Sequence, residues 1–245
     1  MWNVWKSKLR EFEKWRTERR RANMLQYRAF YRGQFVKEIP QALFEMFCLD
    51  IGCGSGGVLY RIVKEKKWIG IGIDPILELS LKVFHRKVRE ENLPVFLIQG
   101  VGEYLPLRDS HVHVAIATST LDHLQDVDQT FQECHRVLKG CGHFYVLETV
   151  EKQAGKGGWT HLRSFTLNRL QNLFQKNGFK IKKMRFLYHL VSPRFLSQIL
   201  SKLMQIRRLY ITLGLMRKIV IAPRQAKVII ASERLLSPKA NCRDI

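Results

Sequence analysis

The chain has 245 residues, 46% of them hydrophobic, with 42 basic against 21 acidic side chains, a formal charge of +21 and an isoelectric point near 10.1. That length suits one large α/β domain with little left over, and the charge asks for an anionic counterpart, whether nucleic acid, a membrane surface or an acidic substrate. Five cysteines, at 48, 53, 134, 141 and 242, are odd in number and form no C-x-x-C pair, so neither a disulfide framework nor a metal site is expected; no apolar run reaches the roughly 18 residues of a span and no signal peptide opens the chain, which points to the cytosol.

Residues 1–40 are expected to form a basic, amphipathic helical extension. Trp2, Trp5, Leu9 and Phe12 recur at helical spacing while Lys6, Lys8, Arg10 and Lys14 take other faces, a composition suited either to the headgroup level of an anionic membrane or to a helix packed over a cleft. The domain proper is expected over 41–236. It opens with an apolar run, Met46 to Ile51, that stops in a glycine cluster and continues as the helical periodicity of Val58, Leu59, Ile62 and Val63.

Glycine serves a strand-to-helix loop because it takes positive φ and lets a ligand approach the main chain. Gly52-x-Gly54-x-x-Gly57 alone also fits a dinucleotide site. Asp50 tilts the choice, since a carboxylate entering the loop repels a pyrophosphate but suits the ammonium or sulfonium of S-adenosylmethionine. A second apolar run, Trp68 to Ile73, ends in Asp74, about 20 residues past the glycines, where an acid can accept from ribose hydroxyls; Pro75 and Ile76 then flank the adenine. Either acid also reads as a cap or turn residue.

Further strands are expected at 94–98, 112–118 and 142–149, with helices between them, so that right-handed crossovers bring the strand ends and the glycine loop to one edge of the sheet. The ordered set Asp50-Ile-Gly-Cys-Gly-Ser-Gly56, Asp74, Gly102-Glu103-Tyr-Leu-Pro106, His113 to Leu124 and Val137-Leu-Lys-Gly140 resembles the class I S-adenosylmethionine-dependent methyltransferases, most closely their type 11-like small-molecule branch, over roughly residues 45 to 190. The resemblance implies a doubly wound, Rossmann-like seven-stranded sheet and S-adenosyl-L-methionine as cofactor. It implies cofactor contacts at Asp50, Gly52, Cys53, Gly54, Gly56, Asp74, Pro75, Gly102, Glu103 and Thr118. The family often carries an acid just before the Gly-Glu pair; here that position is Val101, which leaves the adenine to the backbone or to Glu103.

The fourth strand leads into Thr118-Ser-Thr-Leu-Asp122-His123, where the resembling family approaches the transferable methyl group. Asp122 and His123 are therefore the catalytic candidates, His123 as a general base because imidazole titrates near neutrality; a structural role at the start of the next helix is the other reading. Gly155-Lys-Gly-Gly158 lacks the order of a phosphate loop and reads as a lid. Beyond it, His161 and Arg163 precede a helix that Thr166 caps and Gly178 ends.

A sixth strand over 179–190 and a seventh over 226–234 close the pattern. Between them 194–221 reads as a helical insertion, with Leu196, Ile199, Leu200, Leu203, Ile206 and Tyr210 at helical spacing among Lys202, Arg207, Arg208, Arg217 and Lys218. Residues 237–245 read as a disordered tail. The expected activity is methyl transfer to a small hydrophobic or lipid-like acceptor, the protein being cytoplasmic or peripheral at an anionic membrane. RNA is the alternative acceptor, supported by charge but by no RNA-binding module; a catalytically silent binding protein is the alternative class.

Overall fold

The computed structural model describes residues 31–42, 45–75, 88–151, 162–187 and 225–235. Seven strands run β1 (Phe47–Ile51), β2 (Ile69–Asp74), β3 (Val95–Gln99), β4 (Val112–Thr118), β5 (Leu138–Glu151), β6 (Phe179–Leu187) and β7 (Gln225–Arg234). They form one sheet in the order β3-β2-β1-β4-β5-β7-β6. The first five are parallel, and β7 pairs antiparallel with both β5 and β6. The sheet is therefore doubly wound, reversing between β1 and β4, where such folds open a crevice at the strand ends.

Helix α1 (31–38), α2 (Gly57–Lys66), α3 (Val127–Val137) and α4 (Leu167–Lys176) cover the two faces. β1 and β4 read as continuous apolar runs because both their faces are covered. On one face Tyr31, Phe35, Val36 and Ile39 of the α1 segment pack with Val58, Leu59 and Ile62 of α2 against Val114, Ile116 and Ile229. On the other, α3 and α4 meet the sheet through Phe131, Phe144, Phe174 and Phe179, whose ring centroids lie 4.9–6.1 Å apart. Edge-to-face pairs of this kind are each worth about 0.5–1.5 kcal/mol beyond the area they bury.

The rest of the 1–40 extension, the 194–221 insertion, the Gly155–Gly158 segment, His161 and the 237–245 tail lie outside the described residues. Within them, α1 belongs to the core, and its Glu38 pairs with Lys183 at 2.8 Å and with Arg185, both on the edge strand β6. One boundary differs from expectation. β5 begins at Leu138 rather than 142, because Cys141 (φ +58°) and a register shift against β4 carry the chain through a bulge that resembles a turn in sequence. Cys141 also takes part in a disulfide whose other half is outside the described residues, whereas Cys48, Cys53 and Cys134 are free. Among the described residues no helix is long and apolar enough to cross a membrane, and no group of side chains is set to hold a metal.

Candidate functional site

The loop from β1 to α2 is shaped by three left-handed glycines, Gly52 (φ +66°), Gly54 (+52°) and Gly56 (+68°). Gly52 could be nothing else: a Cβ there would stand 2.5 Å from the Thr120 methyl, in addition to the cost of its backbone angle. The loop is tied to β2 by Gly52 N–H and Cys53 N–H donating to the Ile73 carbonyl at 2.8 and 3.1 Å, and by Gly54 N–H donating to Asp74 Oδ2 at 3.0 Å. Cys53 is buried against β2. Gly56 caps α2 without a side chain, so no side-chain acceptor occupies the first-turn N–H groups.

A cleft of about 320 Å³ opens at this edge. It is lined by Gly52, Pro75, Gly100 to Glu103, Thr120, His123 and Leu124. The structure thus brings Gly52, Pro75, Gly102, Glu103 and His123 to one cavity, with Asp74 and Gly54 joined at its rim. Thr118 is half-buried at the end of β4, and Thr120 stands in the cleft instead. Glu103 is 7% exposed and its Oε1 accepts from Gln125 N–H at 2.8 Å. With Asp126, which accepts from Gln129 N–H at 2.9 Å, it fixes the start of α3.

Asp50, at the end of β1, is 1% exposed and its Oδ1 has no hydrogen-bond partner. Burial pushes its carboxyl up to about 8, Asp74 adding to the shift and Arg32 opposing it. In the ligand-free protein Asp50 therefore holds its proton at neutral pH, so the repulsion of phosphate expected from a carboxylate here is weaker than charge counting suggests. Arg32 of α1, which sequence reading passed over, places Nη1 3.1 Å from where a Gly57 Cβ would be. Its guanidinium is lowered by burial, with Asp50 as the opposite charge facing it. An unsatisfied carboxyl oxygen and a guanidinium beside the same glycine loop form a pair of sites for an ammonium and a carboxylate.

The short 3₁₀ turn Leu121–His123 carries the catalytic candidates. His123 is 3% exposed, and its Nε2 lies 3.6 Å from Asp122 Oδ1. The segment after residue 161 folds back over this turn: Leu162 N–H donates to the Asp122 carbonyl at 2.8 Å, and Arg163 Nη2 donates to the Gln125 carbonyl at 2.7 Å. Burial lowers the Arg163 guanidinium below its usual value, with Asp126 and Glu103 opposing the shift.

Two further side chains join the site without a sequence motif. Glu148 on β5 is 1% exposed, and its carboxyl is pushed above the usual range by burial first and by Asp122 second. Lys227 on β7 donates to Ser119 Oγ at 3.0 Å and Thr149 Oγ1 at 3.1 Å.

Residues 49–146 match the family model for a methyltransferase domain. Over 106 residues the chain is 31% identical to the sterol 4-C-methyltransferase strm-1 of Caenorhabditis elegans, covering 42% of this chain and 31% of that protein. Over 111 residues it is 32% identical to the ubiquinone/menaquinone biosynthesis C-methyltransferase UbiE of Acidiphilium cryptum, covering 41% of each. The chain thus spans less than half the length of these curated relatives. Among solved structures it superposes on the [4+2]-cyclase SpnF with a TM-score of 0.62 at 23% identity, covering 83% of this chain and 80% of that one. The geranyl diphosphate C-methyltransferase of Streptomyces coelicolor gives 0.62 at 14% identity, covering 85% and 79%. At these identities the structural likeness establishes the fold.

Proposed function

We propose that the chain, whose residues 49–146 match the family model for a methyltransferase domain, is a class I S-adenosylmethionine-dependent methyltransferase that moves a methyl group from S-adenosylmethionine to a small hydrophobic or lipid-like acceptor. The observation that carries this is the unsatisfied Asp50 Oδ1 beside the Arg32 guanidinium at a glycine loop whose far side is held by Asp74. These groups fit the cofactor: Asp50 and Arg32 take the ammonium and carboxylate of its amino-acid end, Asp74 the ribose, and Pro75 with the Val101–Gly102 backbone the adenine. Bound there, the cofactor supplies an electrophilic methyl on a cationic sulfur. The chain's part is mainly placement, holding the acceptor roughly 3–3.5 Å from that methyl in a site poor in water. His123, which lines the cleft, is placed to take a proton from the acceptor.

The apolar acceptor is supported by the sterol and quinone methyltransferases among the relatives, and by the basic amphipathic character of residues 2–16 and 194–221. We assign those segments to an anionic membrane surface reached from the cytosol. Because the fold also serves a cyclase, cofactor binding by itself is not the test. The test is incubation with methyl-labelled cofactor and separate lipid, RNA and protein fractions. Label in the lipid fraction is expected; label in RNA or protein overturns the acceptor, and label in none overturns methyl transfer.

A further inference from the structure

Beside the turn that brings His123 to the cleft lies a group of buried polar side chains drawn from both β5 and β7. Glu148 Oε2 accepts the Leu121 N–H at 3.1 Å, and its Oε1 accepts the Thr149 N–H at 2.8 Å. Leu121 opens the turn that carries Asp122 and His123, so Glu148 fastens that turn to β5. Asp122 is 8% exposed, its Oδ1 is 3.6 Å from the His123 Nε2, and its charge acts on Glu148. From β7, Lys227 faces Glu148 while donating to Ser119 and Thr149, and the Tyr31 ring of α1 lies 5.9 Å from its ammonium.

We propose that Glu148 is a positioning residue for the acceptor reaction, pinning the turn that carries His123, the base that takes up the proton released when methyl is placed on carbon. This rests on the methyl-transfer reading above and narrows its acceptor to a carbon nucleophile. The acceptor's π electron pair forms the bond to the methyl carbon, and the pair of the broken methyl–sulfur bond stays on sulfur. The proton on the newly methylated carbon then passes to His123, and its C–H pair restores the π bond. A carbon-bound proton needs a base held against it, and the resulting imidazolium is opposed by Asp122.

The experiment uses the full chain, unlabelled S-adenosylmethionine and a neutral-lipid extract from cells grown in heavy water. In ordinary water, deuterium on oxygen or nitrogen exchanges away while deuterium on carbon stays. The expected product loses one carbon-bound deuterium for each methyl gained. Methyl incorporation by wild type is expected to show an inflection above the ordinary carboxylate range. Glu148→Gln and Asp122→Asn are each expected to lose that inflection and turn over roughly 10²-fold more slowly. S-adenosylhomocysteine affinity measured by calorimetry should stay unchanged in both. A product that keeps all its deuterium, or variants that slow equally at every pH, overturns the proposal. Failure of wild type to bind S-adenosylhomocysteine overturns instead the methyl-transfer reading beneath it.

Discussion

Asp74 Oδ2 accepts the Gly54 N–H at 3.0 Å, which makes the acid ending β2 a brace for the glycine loop as well as a rim of the cleft. The same carboxylate is the one proposed for the ribose. Asp74→Ala is expected to weaken S-adenosylmethionine binding by about 1.5–3 kcal/mol through a lost charge-assisted hydrogen bond. Isothermal calorimetry measures it. An unchanged affinity would remove Asp74 from the cofactor site.

Arg32 gives a sharper contrast. On the proposed assignment of its guanidinium to the cofactor's carboxylate, Arg32→Ala should cost about 1.5–3 kcal/mol for S-adenosylmethionine. Decarboxylated S-adenosylmethionine has no such group, and the same substitution should leave its affinity unaltered. Equal losses for both ligands would mean that Arg32 acts only by packing.

Asp50 holds its proton in the free protein, its carboxyl being raised to about 8. An ammonium arriving beside it favours the charged form, so binding at pH 7 should release about one proton. Calorimetry in two buffers of different ionisation enthalpy reads this directly. A binding enthalpy independent of buffer contradicts it.

The same carboxyls set a pH trend in stability. Asp50 and Glu148 keep protons in the folded state that the unfolded chain has already lost above the ordinary carboxylate range. Their stabilisation is fully present below that range and is lost as pH rises through the raised values, about 8 for Asp50. His113 and His135, lowered mainly by burial, oppose this trend only below about 6.5. Between pH 6.5 and 8 the ligand-free protein should therefore weaken as pH rises, by up to about 1.4 kcal/mol per unit for each carboxyl. Urea unfolding across that window tests the sign; a rising midpoint is the contrary result.

On the proposed membrane reading, tryptophan beside lysine gains from apolar burial and from about 1 kcal/mol per cation near anionic lipid, the latter screened by salt. Trp2→Ala with Trp5→Ala should reduce retention on anionic liposomes while leaving RNA retention largely intact. If wild type is retained by neither neutral nor anionic liposomes at low salt, these segments serve the cleft alone.

The seven strands were legible because glycine clusters, apolar runs and terminal acids are local signals read within a few residues. Asp74 and Gly54, only 20 positions apart, follow from such a pattern. Arg32, Glu148 and Lys227 do not. Lys227 reaches Ser119 across 108 positions, and Glu148 reads in sequence as one more residue of an apolar strand. Arg32 sits among basic residues whose charge resembles a solvated face until α1 is seen packed on the sheet. Burial and long-range pairing give these three their chemistry. The early start of β5 was hidden for another reason: Leu138-Lys-Gly-Cys-Gly142 carries turn residues, and pairing with β4 overrides them.

The order of the sheet has a consequence for how the chain is made. β7, last of the seven strands to be synthesised, lies between β5 and β6. Until it arrives, a growing polypeptide presents two open strand edges that are destined for the same insertion, and β6 has nothing to join. The late strand also delivers Lys227, so the nascent chain passes through a stage in which the cofactor loop is already made and the acceptor side is not.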